Sequence, residues 1–172
     1  MKYKPTMYYK NVFDIPYSKL KDEGYSCLVF DLDNTLALIK EAEFNLKTKN
    51  LLLSLKKDFI VYIVTNNHQK RLSPFLKQLG IKGVYHAAKP FTRGLKKICK
   101  SENIQKNQMI MIGDQLVTDI RSGNRFGIAT IYVDALSAID LKVTKFNRLL
   151  ENRILNKYEK LEIMKRGNYY GF

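Results

Sequence analysis

Residues 28 to 38 read LVFDLDNTLAL, an apolar run that ends on Asp31 and Asp33 with Asn34 and Thr35 close behind. Two carboxylates so near each other can divide labour, one ionised as a nucleophile and the other passing a proton to and from a leaving group. Against phosphorus, Asp31 would attack and become an aspartyl phosphate, while Asp33 would protonate the departing alcohol and then activate water. The charge of the transferred group needs compensation from a divalent cation, an ammonium, and hydroxyl or amide donors. Thr65 and Asn66 in VTNN, Lys89 in AAKP and Asp114 in GDQLVTD provide those residue types. Asp31 and Asp114 would bind Mg²⁺, an ion that takes a few carboxylate oxygens and completes its shell with water and substrate phosphate. Thr65 and Asn66 would hold phosphate oxygens, and Lys89 would neutralise charge between nucleophile and phosphate.

These residues converge only if the chain delivers them to one edge. From residue 27 onward, short runs rich in Val, Ile and Tyr alternate with helical patterns. The spacing predicts strands at 27 to 30, 60 to 64, 84 to 86, 109 to 112 and 129 to 133, and helices near 47 to 57, 69 to 79, 91 to 102 and 119 to 126. Gly80, Gly83, Gly113 and Gly127 punctuate the boundaries. Strands alternating with helices predict a central parallel sheet between two helical layers, a Rossmann-like three-layer α/β/α sandwich. Ligands of such sheets bind at the carboxyl ends of the strands. Asp31 and Asp33, Thr65 and Asn66, Lys89, and Asp114 each follow a predicted strand.

A length of 172 residues, 45% hydrophobic and 27% charged content suit one folded domain spanning residues 1–172 and argue against disorder. Within it lie an aromatic and basic flank at 1–25, a catalytic core at 26–135 and a basic helical flank at 136–172. Cys27 and Cys99 have no metal-binding or CxxC spacing and read as buried free thiols in a reducing cytoplasm. The first 25 residues lack the continuous apolar stretch of a secretory signal, and runs such as IVYIV are too short to span a bilayer. Thirty basic against 16 acidic residues give a formal charge of +14, which attracts polyanions without choosing among nucleic acid, phosphorylated substrate and anionic lipid. Tyr3, Tyr8, Tyr9, Phe13, Tyr17 and Tyr25 interleave with lysines in the N-terminal flank, a mixture able to seat at lipid headgroups, although packing on the domain explains it more cheaply. Ile139, Val143, Phe146, Leu150, Ile154, Tyr158 and Leu161 repeat at helical spacing and predict an amphipathic helix over 137 to 165.

Four segments now carry a resemblance. DLDNT at 31–35, the Thr65 of VTNN, the Lys89 of AAKP, and GDQLVTD with Asp114 and Asp119 resemble, in order, the four motifs of the haloacid dehalogenase-like phosphatases. The resemblance implies that Asp33 lends a metal its backbone carbonyl, which makes Asp31, Asp33 and Asp114 the metal set. Asp119 reads either as a helix N-cap or as a group that orients Lys89 or a metal-bound water. His68 and His86 flank these motifs in ordinary surface or packing roles. YHAAKP, GDQLVTDIRSGNRFG with ATIYV, and TKFNRLLE at 144 to 151 narrow the likeness to the YqeG-type branch, subfamily IIIA, which is similar to phosphatidylglycerophosphate phosphatases. Only 29 residues separate Thr35 from Thr65, and 21, from His68 to Ala88, separate Asn67 from Lys89. Neither interval leaves room for the inserted cap domains of the superfamily, so a capless core with an open site is expected.

An open site suits a phosphate carried on something large. The expected activity is Mg²⁺-dependent hydrolysis of a phosphomonoester, with phosphatidylglycerophosphate at the inner face of the cytoplasmic membrane as substrate and phosphatidylglycerol as product. Its rivals are a phosphatase of soluble nucleotide or sugar phosphates, and a nucleic-acid or ribosome-binding module that keeps residual hydrolysis.

Overall fold

Alternation along the central strands decides which helix packs where. In the computed structural model, which describes residues 1–137 and 142–172 with the side chains of 142–146 set aside, β2 (Cys27–Phe30) points Leu28 and Phe30 to one face of a sheet and Cys27 and Val29 to the other. All four are buried, as expected of a strand covered on both sides. β3 (Ile60–Val64) and β5 (Met109–Gly113) flank it, and β4 (Lys82–Val84) and β6 (Ala129–Val133) lie beyond them. The outermost strand is β1 (Met7–Tyr9), giving the order β1-β6-β5-β2-β3-β4 with every pairing parallel.

Leu28 and Phe30 pack with Leu20 of α1 (Tyr17–Asp22), Leu52 of α2 (Leu46–Leu55), and Leu72 and Phe75 of α3 (Gln69–Leu79). Cys27 and Val29 pack with Leu95 and Ile98 of α4 (Arg93–Ser101) and Phe126 of α5 (Arg121–Phe126). The result is the three-layer α/β/α arrangement that the alternating pattern predicts. A third apolar cluster joins Tyr8 and Tyr132 to Leu155 and Tyr158 of α6 (Lys142–Lys160). Among the described residues, no helix is long and apolar enough to cross a membrane.

Several expectations need correction. The N-terminal flank is part of the sheet: Tyr8 is fully buried, Met7 nearly so, and Thr6 N donates to Thr130 O at 3.0 Å. Its aromatics are packed on the domain, the cheaper of the two readings of this flank, but as part of the sheet and not as a flank outside it. The strand expected at 84 to 86 is shifted to Lys82–Val84, because His86 and Ala88 take positive φ values of 47° and 54°, which end an extended run. The helix expected at 119 to 126 begins as a π-type turn at Leu116–Ile120 before α5. Among the described side chains of α6 the buried ones are Glu151, Leu155 and Tyr158, whereas Leu150 and Leu161 of the expected stripe are exposed. Ile139 lies outside the described residues, as do the side chains of Val143 and Phe146. Cys27 is buried, which pushes its thiol up to about 12, while Cys99 is only half-buried and donates to Ile104 O at 2.8 Å.

Candidate active site

Sheet register alone brings the first acids together. Phe30 pairs with Ile112 on one side and Ile63 on the other, so Asp31, Gly113 and Val64 emerge level at the carboxyl edge. Asp31 N donates to Ile112 O at 2.8 Å, and Asp114 follows one residue later on the neighbouring strand. Oxygens of Asp31, Asp114 and Asp119 all lie within 4.8 Å of one another, and all three residues are buried. Lys89 enters from the next loop. Its ammonium is ion-paired with Asp31, lies 2.7 Å from Asp119 Oδ1 and donates to Val64 O at 2.9 Å. Thr35 Oγ1 donates to Asp114 Oδ1 at 2.9 Å.

Asp119 joins this group because of its backbone and its neighbour. The π-type turn carries it back over the strand end, where Oδ2 accepts from Gln115 N at 3.1 Å. A Cβ at Gly113 would collide with the Asp119 carboxylate, so only glycine leaves space for that return. The N-cap alternative for Asp119 is not realised. The carboxylate stands beside Asp31 and Asp114, with Oδ1 2.7 Å from the Lys89 ammonium, where it can orient that group.

Asp33 has different company. Arg71 from α3 donates to its Oδ1 through Nε at 2.9 Å and Nη2 at 2.7 Å, while Asn67 Nδ2 donates to Oδ2 at 3.1 Å. Its carboxylate therefore lies outside the three-acid cluster and is held by a two-pronged guanidinium contact. Thr65 is buried at the end of β3, its Oγ1 accepting from Asn67 N at 3.0 Å. Asn66, expected on the phosphate, places both ends of its amide on the Lys89 backbone, accepting from Lys89 N at 2.7 Å and donating to Lys89 O at 2.9 Å. That grip fixes the loop from which the Lys89 side chain reaches inward. His68 Nδ1 and His86 Nε2 lie 3.2 Å apart on the exposed side.

Burial dominates the electrostatics. It pushes the Asp31 carboxyl well above the usual range, Lys89 pulling the other way and Asp119 and Asp114 adding to the rise. Asp114 is pushed up to about 6 and Glu151 to about 7, again chiefly by burial and against the pull of Arg148. Burial works against the Lys89 ammonium too, but the Asp119 and Asp31 carboxylates outweigh it and hold the group above an ordinary lysine. Carboxyl groups raised in the folded state bind more protons there than in the unfolded chain. Without metal, stability contributed by Asp114 and Glu151 is therefore present at low pH and lost as pH rises through about 4 to 7. Urea unfolding of the metal-free chain is expected to show a loss on the order of 3 kcal/mol between about pH 5 and 7.5. Added Mg²⁺ should flatten that slope, and stability rising over the interval would contradict this picture.

The sequence assigns no role to three further residues around the site. Arg71 sits in a basic stretch of α3, and Arg148 and Glu151 sit on α6, yet Arg148 is ion-paired with Asp114 and, at 2.9 Å, with Glu151. Arg148 and Glu151 fall inside TKFNRLLE, a segment that carries the family likeness without assigning either side chain a role.

A parallel sheet with acids, lysine and threonine at its carboxyl edge defines a class, and the comparisons agree with it. The chain matches the haloacid dehalogenase-like hydrolase family over residues 39–133, and it belongs to that family. It is 35% identical over 153 residues to the probable phosphatase YqeG of Bacillus subtilis (strain 168), covering 88% of this chain and 89% of that protein. It is 30% identical over 133 residues to the chloroplastic phosphatidylglycerophosphate phosphatase 1 of Chlamydomonas reinhardtii, covering 72% of this chain and 49% of the algal protein. In fold it resembles a HAD family enzyme of Bacteroides thetaiotaomicron crystallised as a magnesium complex, with a TM-score of 0.56 and 14% identity over 67% of this chain and 96% of that one.

Proposed function

We propose that the protein is a Mg²⁺-dependent phosphomonoester hydrolase that works through an aspartyl phosphate on Asp31. The observation that carries this reading is the meeting of Asp31, Lys89, Asp114 and Asp119 at one strand edge.

The donor set fits a divalent cation. When ionised, Asp31, Asp114, Asp119 and Glu151 carry four negative charges against the two positive charges of Lys89 and Arg148, leaving the complement of one doubly charged ion. All-oxygen ligands suit Mg²⁺. Asp31 and Asp114 would hold it, with the Asp33 carbonyl as the family resemblance implies and Asp119 beside them. When bound, the ion would neutralise charge on the transferring phosphoryl group and lower the Asp31 carboxyl toward its ionised, nucleophilic form.

The rest falls to this chain's side chains. An Asp31 oxygen forms a bond to phosphorus as the bond from phosphorus to the alcohol oxygen breaks, and Asp33, protonated for this half-reaction, hands its proton to that oxygen. Asp33 then takes a proton from water, whose oxygen bonds to phosphorus as the Asp31 link breaks and releases inorganic phosphate. Arg71 and Asn67 hold the Asp33 carboxylate in one orientation. Lys89 and the Thr65 hydroxyl compensate the phosphoryl oxygens, while Asn66 contributes by steadying the Lys89 loop.

The substrate we propose is phosphatidylglycerophosphate, dephosphorylated by a peripheral enzyme at the inner face of the cytoplasmic membrane. Support comes from the activity named for the algal relative and from the open edge of the sheet. The interval between Thr35 and Thr65 holds a loop, α2 and β3, and that between Thr65 and Lys89 holds α3 and β4. Leu38, whose main-chain oxygen accepts from Arg71, and Leu136, whose amide donates to Asn34 O, are 38% and 41% exposed beside the site, apolar contacts available to a bilayer in a chain of charge +14. Phosphate release from phosphatidylglycerophosphate in mixed micelles is expected to need Mg²⁺ and to exceed release from soluble nucleotide and sugar phosphates by at least about 100-fold in kcat/KM. A preference for a soluble ester would replace the lipid substrate and leave the phosphatase chemistry standing.

A further inference from the structure

α6 begins after the last residue of the family match, 133, yet it reaches the acidic cluster. Arg148 Nη2 is bonded to Asp114 Oδ2, and Nη1 donates both to the Asp114 backbone oxygen at 2.8 Å and to Glu151 Oε2 at 2.9 Å. The Asp114 carboxylate is thereby tied to its own main chain on one side and to Thr35 on the other. Glu151 is 1% exposed and accepts from Leu116 N, the first residue of the turn that carries Asp119. One pair of side chains, a helical turn apart, thus holds the segment that contains both Asp114 and Asp119.

Docking α6 does not require these charges. Leu155 and Tyr158 already pack against Leu116, Ile120 and Tyr132. Buried ion pairs cost desolvation that apolar residues of similar size avoid. Groups that hydrogen-bond to a metal-ligating carboxylate, by contrast, fix its rotamer and tune its affinity.

We propose that Arg148 and Glu151 are positioning residues of the metal site, Arg148 by setting the orientation of the Asp114 carboxylate and Glu151 by anchoring both Arg148 and the Leu116 amide. This rests on the reading of Asp114 as a ligand of the metal. On that view α6 is part of the site, and the segment that matches the family is incomplete without it.

The test is direct binding of Mn²⁺, as a probe for Mg²⁺, to the full chain without substrate, followed by calorimetric titration with urea unfolding alongside. Arg148→Met is expected to weaken Mn²⁺ binding by about 10- to 100-fold. Arg148→Lys should recover little, because one ammonium cannot reproduce the guanidinium's fixed fork across the same acceptors. Glu151→Gln keeps an oxygen for the Leu116 amide but loses its charge pairing with Arg148, and should weaken binding several-fold; it carries the test if Arg148→Met does not fold. Lys157→Met, an exposed change on the same helix, should bind as the wild type does. Unchanged or tighter Mn²⁺ binding by folded Arg148 and Glu151 variants would overturn the inference and make Arg148 a competing cation or a simple helix tether. Wild-type protein that takes up no Mn²⁺ would overturn the metal reading itself, a result distinct from the first.

Discussion

Asp31→Asn is expected to lower phosphate release by about 10⁴-fold or more while leaving the fold intact, because an amide oxygen is a far weaker nucleophile than a carboxylate. The substitution is nearly isosteric in a site where Asp31 is buried. Lys89 keeps Asp119 at 2.7 Å and Val64 O at 2.9 Å, so its ammonium is not stranded. Removing one of three neighbouring carboxylates also relieves like-charge repulsion in the metal-free chain. Turnover on the best substrate and urea unfolding, measured on the same preparation, check both halves. Retained turnover would remove Asp31 from the chemistry, and a collapsed fold would give it a structural role that its contacts do not suggest.

Deleting residues 1 to 10 is expected to abolish folding, and hydrolysis of a small soluble ester and binding to anionic vesicles should disappear together. The deletion takes away β1, which runs beside β6 in the register Met7↔Ile131, Tyr8↔Tyr132 and Tyr9↔Val133. Tyr8 packs on the rings of Tyr132, Tyr169 and Tyr170 at 5.0, 4.9 and 6.3 Å, and exchanges backbone hydrogen bonds of 2.7 and 2.9 Å with Tyr170. Burial of Met7 and Tyr8 contributes about 1.5–3 kcal/mol apiece and each ladder hydrogen bond about 1 kcal/mol. Against a typical total of about 5–15 kcal/mol, the sum is enough to unfold a domain. A truncated chain that stayed folded, hydrolysed the soluble ester normally and lost only vesicle binding would favour the lipid-facing alternative for this flank.

What the amino-acid sequence revealed of this architecture follows the range of the interactions involved. β2 and β3 are uninterrupted runs of apolar and aromatic residues and β6 is rich in β-branched and aromatic ones, so their ends are legible in the residue types alone, and they match Cys27–Phe30, Ile60–Val64 and Ala129–Val133. β5, expected at 109 to 112, runs one residue further to Gly113. Because strand ends share one edge in a parallel sheet, placing β2, β3 and β5 also places Asp31, Thr65 and Asp114. β1 was illegible for the opposite reason: three residues become a strand only through a partner more than 120 positions away. Arg71 and Arg148 are likewise lost among thirty basic residues until the fold gives each a carboxylate, Asp33 for one and Asp114 for the other. The path of Asp119 depends on a π-type turn and on the missing side chain of Gly113, neither of which has a periodic signature.

The account turns on a covalent bond between Asp31 and phosphorus. Acid quenching during steady turnover with Mg²⁺, followed by digestion and mass spectrometry, should recover one phosphoryl group on the peptide that contains Asp31 and none in Asp31→Asn. Turnover that proceeds with the phosphoryl group on another residue, or with no phosphorylated protein at any quench time, would contradict it.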